Sequence, residues 1–366
     1  MTRKAGASEG LKGAVCFIFM PLALILQLTL TAHASNEAVG LAVRPESQQG
    51  SSLALFDVGI SVTSGVSNRS GTDMEAAFRE TEAVLMGQRL REEFDNAAIW
   101  GVIRLYPQPS VIPQINVHLT VLESDGRLLE IMATVSAVTG ESLLSKVYSD
   151  TATNEDYVAD DGGPFTELYA AIVSDVASAL SSKLIHATYL RTVSSLRYAS
   201  ELIPDAFPGY LVEESGIYVV RREPSRDDPM LARLRRLQEY ELLFVDTIDE
   251  QLGNVASKLS GPYDLWLKAS KEQLDWLDIR RERSADAESF RSESTFTRLQ
   301  AVYAAHRSLK IHEQELFELV LEVENEARAT VLYANEHIFR LSGTLEQQYG
   351  EWRAMLRQIN ELESVL

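Results

Sequence analysis

The sequence predicts an α+β fold, in which a mostly antiparallel sheet covered by two helices precedes an extended all-α helical bundle. Three observations carry this reading. Residues 115–150, INVHLTVLESDGRLLEIMATVSAVTGESLLSKVYSD, alternate apolar and polar side chains with the period of two that half-buried strands require. Two amphipathic helical stretches flank that meander, and their apolar stripes suit packing on one face of a sheet. From Ser194 onward the composition turns to charged helix.

Taken in order, the first element is LALFDV from Leu53, a short continuous apolar run read as a strand buried on both faces. A loop rich in Ser, Gly and Asn follows. Asp73 is placed to cap the helix MEAAFRETEAVLMGQRLREEF, whose stripe is Ala77, Phe78, Val84 and Leu85. IWGVIRLYP at 99–107 alternates as a second strand and is ended by Pro107 and Pro109. The meander then turns at Ser124-Asp125-Gly126 and again at Thr139-Gly140, where glycine supplies the positive φ of a tight turn. Pro164 opens a closing helix with Phe165, Leu168, Tyr169, Ile172, Val173, Val176, Leu180 and Leu184 at helical spacing. The predicted order is β-α-β-β-β-β-α.

Residues 186–227 read as a connector with a short strand at Ile217–Arg221. Beyond it, residues 228–366 read as a long-helix bundle. One helix starts at Asp228-Pro229 and stops at Ser260-Gly261-Pro262, where a second begins. A third runs from Thr295 to Leu341, and Thr344 with Gln347 forms a capping box for a last one. The third helix follows a heptad through Leu299, Val302, Leu309, Leu316, Val320, Val323, Ala327, Ala334 and Leu341, interrupted at His306, Glu313, Thr330 and His337. It would be roughly 70 Å long, enough to project from the body or pair with another chain.

Composition and the amino terminus bound the setting. Arg3, Lys4 and Lys12 precede the apolar run GAVCFIFMPLALILQLTLTA, and Ala32-His33-Ala34 supplies the small-x-small pattern of a signal-peptidase site. Residues 1–34 therefore read as an export signal cut after Ala34, with 35–52 a flexible leader and 53–185 the α/β sandwich domain. The competing reading is an uncleaved inner-membrane signal anchor, since the run approaches the ~20 residues that span a bilayer. No later segment is apolar enough to cross a membrane. The expected location is the periplasm or the exterior. The single cysteine, Cys16, lies in the export segment, so no disulfide or thiolate chemistry is expected. With a net charge of −19 the chain is repelled by nucleic acid and by anionic lipid.

Catalytic motifs are missing from the sequence. GASEG at Gly6–Gly10 has the nucleophile-elbow pattern but lies in the export segment with no strand before it. No phosphate-binding glycine loop, dinucleotide fingerprint or zinc-protease helix occurs. His118 falls on the polar face of a strand and reads as solvated. His312 and Glu315 are one helical turn apart, but no histidine follows a glutamate at the spacing of di-metal bundles. Asp160 and Asp161 beside Gly162-Gly163 lack the ligand periodicity of a calcium loop. No catalytic residue, metal ligand or cofactor is assigned. The residues best suited to binding are Trp266, Trp276, Tyr349 and Trp352 in the helical half, because aromatics dominate interface energy when they are not cementing helix packing. Leu128 and Met132 on the second face of the meander predict a cover there, from the helical half or from another subunit.

The layout of residues 53–184, with LALFD, a helix, WGVIRL and the SDG…TG meander, resembles the small α/β module of the TolB amino-terminal domain. The same module occurs in the curli secretion channel subunit and in lipoprotein activators of peptidoglycan synthases. That resemblance implies an envelope component that binds or assembles rather than catalyses. WGVIRLYP, SDGRLLEI, PFTELY, RYASELIPDAF, DPMLARLRRL and QYGEWR also resemble a family of exported Gram-negative proteins, a likeness that brings no activity with it. The expectation is a non-enzymatic envelope protein, an assembly, scaffold or accessory factor engaging a protein partner or itself. The rival expectations are a periplasmic hydrolase using carboxylates on cell-wall or lipid material, and a homo-oligomeric structural component.

Overall fold

A computed structural model describes residues 52–65, 73–157, 163–183, 185–285, 295–326, 329–334 and 337–365. The export segment and the Asp160–Asp161 pair lie outside these residues. The fold is α+β. Strands β1 (Val58–Ser64), β2 (Ile103–Leu105), β3 (Ile115–Ser124), β4 (Leu128–Ala137) and β5 (Ser142–Thr151) form one sheet in the order β2-β1-β3-β4-β5. With α1 (Asp73–Ala97) after β1 and α2 (Thr166–Ser181) after β5, the element order is the expected one. The sheet is mixed: β1 runs parallel to both β2 and β3, while β3-β4 and β4-β5 are antiparallel. A helical crossover between β1 and β2 makes that pair parallel, whereas two tight turns make the meander antiparallel.

The meander behaves as its alternation requires. Ile115, Val117, Leu119, Val121, Leu129, Ile131, Ala133, Val135 and Ala137 are all buried on one face beneath α1 and α2. LALFDV does not form the first strand. Leu53–Leu55 is a single 3-10 turn, and β1 begins at Val58. Of the expected strand at 99–107, only Ile103–Leu105 pairs. Gly101 approaches the carbonyl of Phe56 too closely there for a side chain, so the chain bends before it joins the sheet.

The connector carries more structure than expected: helix α3 (Ala187–Leu202) and a hairpin of β6 (Leu211–Glu214) and β7 (Ile217–Val220). In the second half, α4 (Pro229–Ala285) is one helix of 57 residues that runs through Pro262. A proline in a helix interior costs roughly 3 kcal/mol. Buried Leu259, Tyr263 and Leu267 pack on both sides of it and hold the halves in line. The expected third helix ends early. α5 (Thr295–Glu326) is followed by a hairpin of β8 (Ala329–Ala334) and β9 (His337–Ser342), then by α6 (Leu345–Val365). The heptad misfits Thr330 and His337 fall in that hairpin, where β-branched and aromatic residues favour strand. The capping box at the start of α6 is present: Thr344 N–H donates to Gln347 Oε1 and Gln347 N–H to Thr344 Oγ1.

Gln49–Leu366 forms one compact unit. The composition change between 185 and 228 is not a gap in packing, because α4 lies against α1 and β2 and shares their apolar core. Among the described residues no helix is long and apolar enough to cross a membrane.

Candidate functional site: a groove along the long helix

The contact between α4 and the α/β layer is built from aspartates on the helix and arginines on the sheet side. Asp246 accepts from Arg104 Nε at 2.5 Å, Asp249 pairs with Arg91 at 2.6 Å, and Asp278 pairs with Arg127 at 2.5 Å. Asp264 pairs with Arg89. Burial pushes the Asp249 carboxyl up, and Arg91 acts against that shift. At the turn between β3 and β4 the approach is closest. Gly126, at φ +87°, lies so near the Leu267 carbonyl that no Cβ would fit.

Between these anchors α4 packs on a cluster of buried polar and aromatic groups. Glu82, 1% exposed, accepts from Ser124 Oγ and Tyr263 hydroxyl at 2.7 Å each and from Arg79 at 2.6 Å. Phe78 meets Trp266 edge-on at 4.9 Å between centroids and Phe317 at 5.6 Å. Separately, a groove opens along α4, where a cavity of about 500 Å³ is lined by Arg89, Gly253, Ser257, Gly261, Leu265 and Lys268, among others. A second, of about 440 Å³, shares Tyr157 and Lys268 with the first and adds Lys271, Trp276 and Ile279. Lys271 is held by Asn154 and Asp275 at 2.7 Å each. Glycine and serine at 253, 257, 260 and 261 keep the helix surface low, while Leu265 and Ile279 stand 50% and 38% exposed.

The expected binding aromatics separate. Trp276 lines the groove, and Trp266 is half-buried against Phe78 and Tyr263 and lines neither cavity. Tyr349 and Trp352 are corrected to core residues, 1% and 0% exposed. Both rings stack on Phe244, and Trp352 Nε1–H donates to the Tyr240 carbonyl at 3.1 Å, so neither offers a surface. Beside them Glu241, also 0% exposed, accepts from the Tyr349 hydroxyl and faces Arg353, which reaches Glu201 at 2.7 Å. Burial raises the Glu241 carboxyl, with Arg353 and the tyrosine hydroxyls opposing. Leu128 and Met132 are both half-buried, Leu128 facing Thr151 and Met132 facing Val147 of β5.

Sequence reasoning missed Arg89, Asp264 and Lys268, which have no local pattern to reveal them. It also missed the surroundings of His118. Ser61 Oγ lies 2.9 Å from Nδ1 and Thr63 Oγ1 3.3 Å from Nε2, and burial lowers the ring's pKa. These hydroxyls hold a neutral imidazole, and no carboxylate orients it as a general base would need. The carboxyls pushed upward, Glu241 and Asp249, line neither cavity. His312 and Glu315 are 3.4 Å apart on an exposed turn, and no cluster of three metal-ligating side chains occurs among the described residues. The groove can therefore supply shape, apolar contact and fixed charges.

No protein-family model matches the sequence, and no curated protein matches it. Among solved structures, a dodecamer of a PelC variant from Paraburkholderia phytofirmans is similar at 14% identity. The match covers 37% of this chain and 96% of that one, with a TM-score of 0.23. At that level the likeness supports no inference about architecture or activity.

Proposed function

We propose that this is an exported, non-enzymatic protein of the periplasm that scaffolds or assembles envelope components, and that the α4 groove receives an apolar segment of a partner protein. The groove itself carries the reading. The Arg89–Asp264 pair and Lys271, held by Asn154 and Asp275, fix its walls before any ligand arrives, while Leu265, Trp276 and Ile279 stay accessible along it. A rigid groove lined by aromatic and aliphatic anchors suits the capture of a peptide or helix with little ordering cost. Export is supported by the basic flank, the apolar run and Ala32-His33-Ala34.

The test is site-specific photocrosslinking in intact cells. A photoreactive side chain at Leu265 or Ile279 is expected to give one common adduct, absent when it is placed at the exposed Glu213 of β6 and lost with Trp276→Ala. Equal adducts from all three positions would reject the groove. Turnover of a cell-wall or lipid substrate by the purified protein would reject the non-enzymatic reading.

A further inference from the structure

The two edges of the sheet are treated differently. At β2 the Leu105 N–H is met by Asp249 of α4 at 3.4 Å, and Arg104 is paired with Asp246, so the long helix covers that edge. Along Ser145–Ser149, β5 has no such cover among the described residues, although at its start Lys183 Nζ reaches the Ser142 carbonyl at 3.4 Å. Ala152 N–H donates to the Arg127 carbonyl at 2.8 Å, continuing the register in which Leu128 faces Thr151. Backbone groups of an antiparallel strand alternate sides. Asp150, Tyr148 and Lys146 therefore turn theirs toward β4, and Thr151, Ser149, Val147 and Ser145 turn theirs outward. The Thr151 N–H is held by Asp150 Oδ1 at 2.8 Å. Among the described residues, the outward groups of Ser145, Val147 and Ser149 are free, on exposed residues.

We propose that β5 is a self-pairing edge through which two copies of this chain join antiparallel, continuing one sheet across a two-fold axis at Tyr148. Charge selects that register. Outward-facing residues must meet outward-facing residues, which restricts the axis to a residue position. An axis at Lys146 sets two lysines opposite each other, and axes at Val147 or Ser149 pair no charges. An axis at Tyr148 sets Lys146 opposite Asp150 twice and places Val147 and Ser149 as mutual hydrogen-bonding partners. Pairing there would also cover Val147, which is 45% exposed.

Neighbouring side chains leave room for the second copy. Lys146 and Tyr148 both reach Asp175 of α2, at 2.7 and 2.8 Å. Ala171, Ser174 and Ser178, which flank Asp175 on the helix surface, are small and exposed, so two α2 helices can approach across the axis. This inference stands on the sheet edge alone and is independent of the α4 groove.

Sedimentation velocity on residues 35–366 tests it. The wild-type chain is expected to be a dimer at micromolar concentration. Val147→Pro removes an outward N–H and leaves the β4 ladder intact, so it should give a monomer with unchanged circular dichroism. D150K should weaken dimerisation about tenfold by opposing lysines at both ends of the pairing, and D150N, which only removes the charge, should weaken it less. A monomeric wild-type chain, a dimeric Val147→Pro variant, or a D150K variant as tight as the wild-type chain would each overturn the proposal.

Discussion

The two ends of α4 carry similar residue types and use them oppositely. Near its start, Glu241 and Phe244 join Tyr198, Tyr349, Trp352 and Arg353 in a sealed cluster that locks α3, α4 and α6 together. Toward its end, Asp264, Lys268 and Trp276 form a groove wall, and the ion pairs there, Arg89–Asp264 and Arg127–Asp278, are partly open to water. Depth makes the difference. At the sealed end the Tyr349 hydroxyl is committed to the buried Glu241 and each ring to the core. At the open end the same chemistry stays available to something outside the chain.

Variants that separate the ends sharpen this contrast. The largest effect is expected from Trp352→Ala, which empties a fully buried site and should cost about 4 kcal/mol of unfolding free energy in denaturant titration. Glu241→Gln comes next and is read in pH dependence. Burial raises this carboxyl in the folded chain, so its contribution to stability is full below the ordinary glutamate range and is lost as pH rises through the raised value. The neutral glutamine lacks that slope. The variant should therefore gain on the wild-type chain as pH rises, read as a pH-dependent difference in melts between pH 4 and 8. A constant offset between the two across that range would show that Glu241 does not titrate as a buried acid. The smallest effect belongs to Arg127→Ala at the open end, where both partners are at least a third exposed and the pair should be worth less than about 1 kcal/mol. If that variant were as costly as Trp352→Ala, the distinction between the ends would fail.

The amino-terminal half was largely legible in the sequence. Strand alternation from Ile115 to Ala137 and the helical stripe from Leu168 to Leu180 are local patterns, and every residue named in them is buried as the pattern requires. The helical half was less so. Pro262 reads as a break because its cost is local, whereas the packing of Leu259, Tyr263 and Leu267 that offsets it is tertiary. The β8–β9 hairpin was masked by a heptad that continued through it, although Thr330 and His337 already departed from the pattern. Of the four aromatics singled out, Trp276 alone lines the groove, because a tryptophan flanked by charges looks the same whether its face meets core or solvent.

By itself, the sequence determined the element order of the amino-terminal half, the buried face of the meander, the capping box of α6 and the net acidity of the chain, since each depends on neighbours in the chain or on simple sums. Tertiary structure alone decided which aromatics are core, which aspartates clamp α4 to the sheet, and which sheet edge is covered. Those outcomes depend on contacts between residues more than a hundred positions apart, such as Arg89 with Asp264, and no local period encodes them.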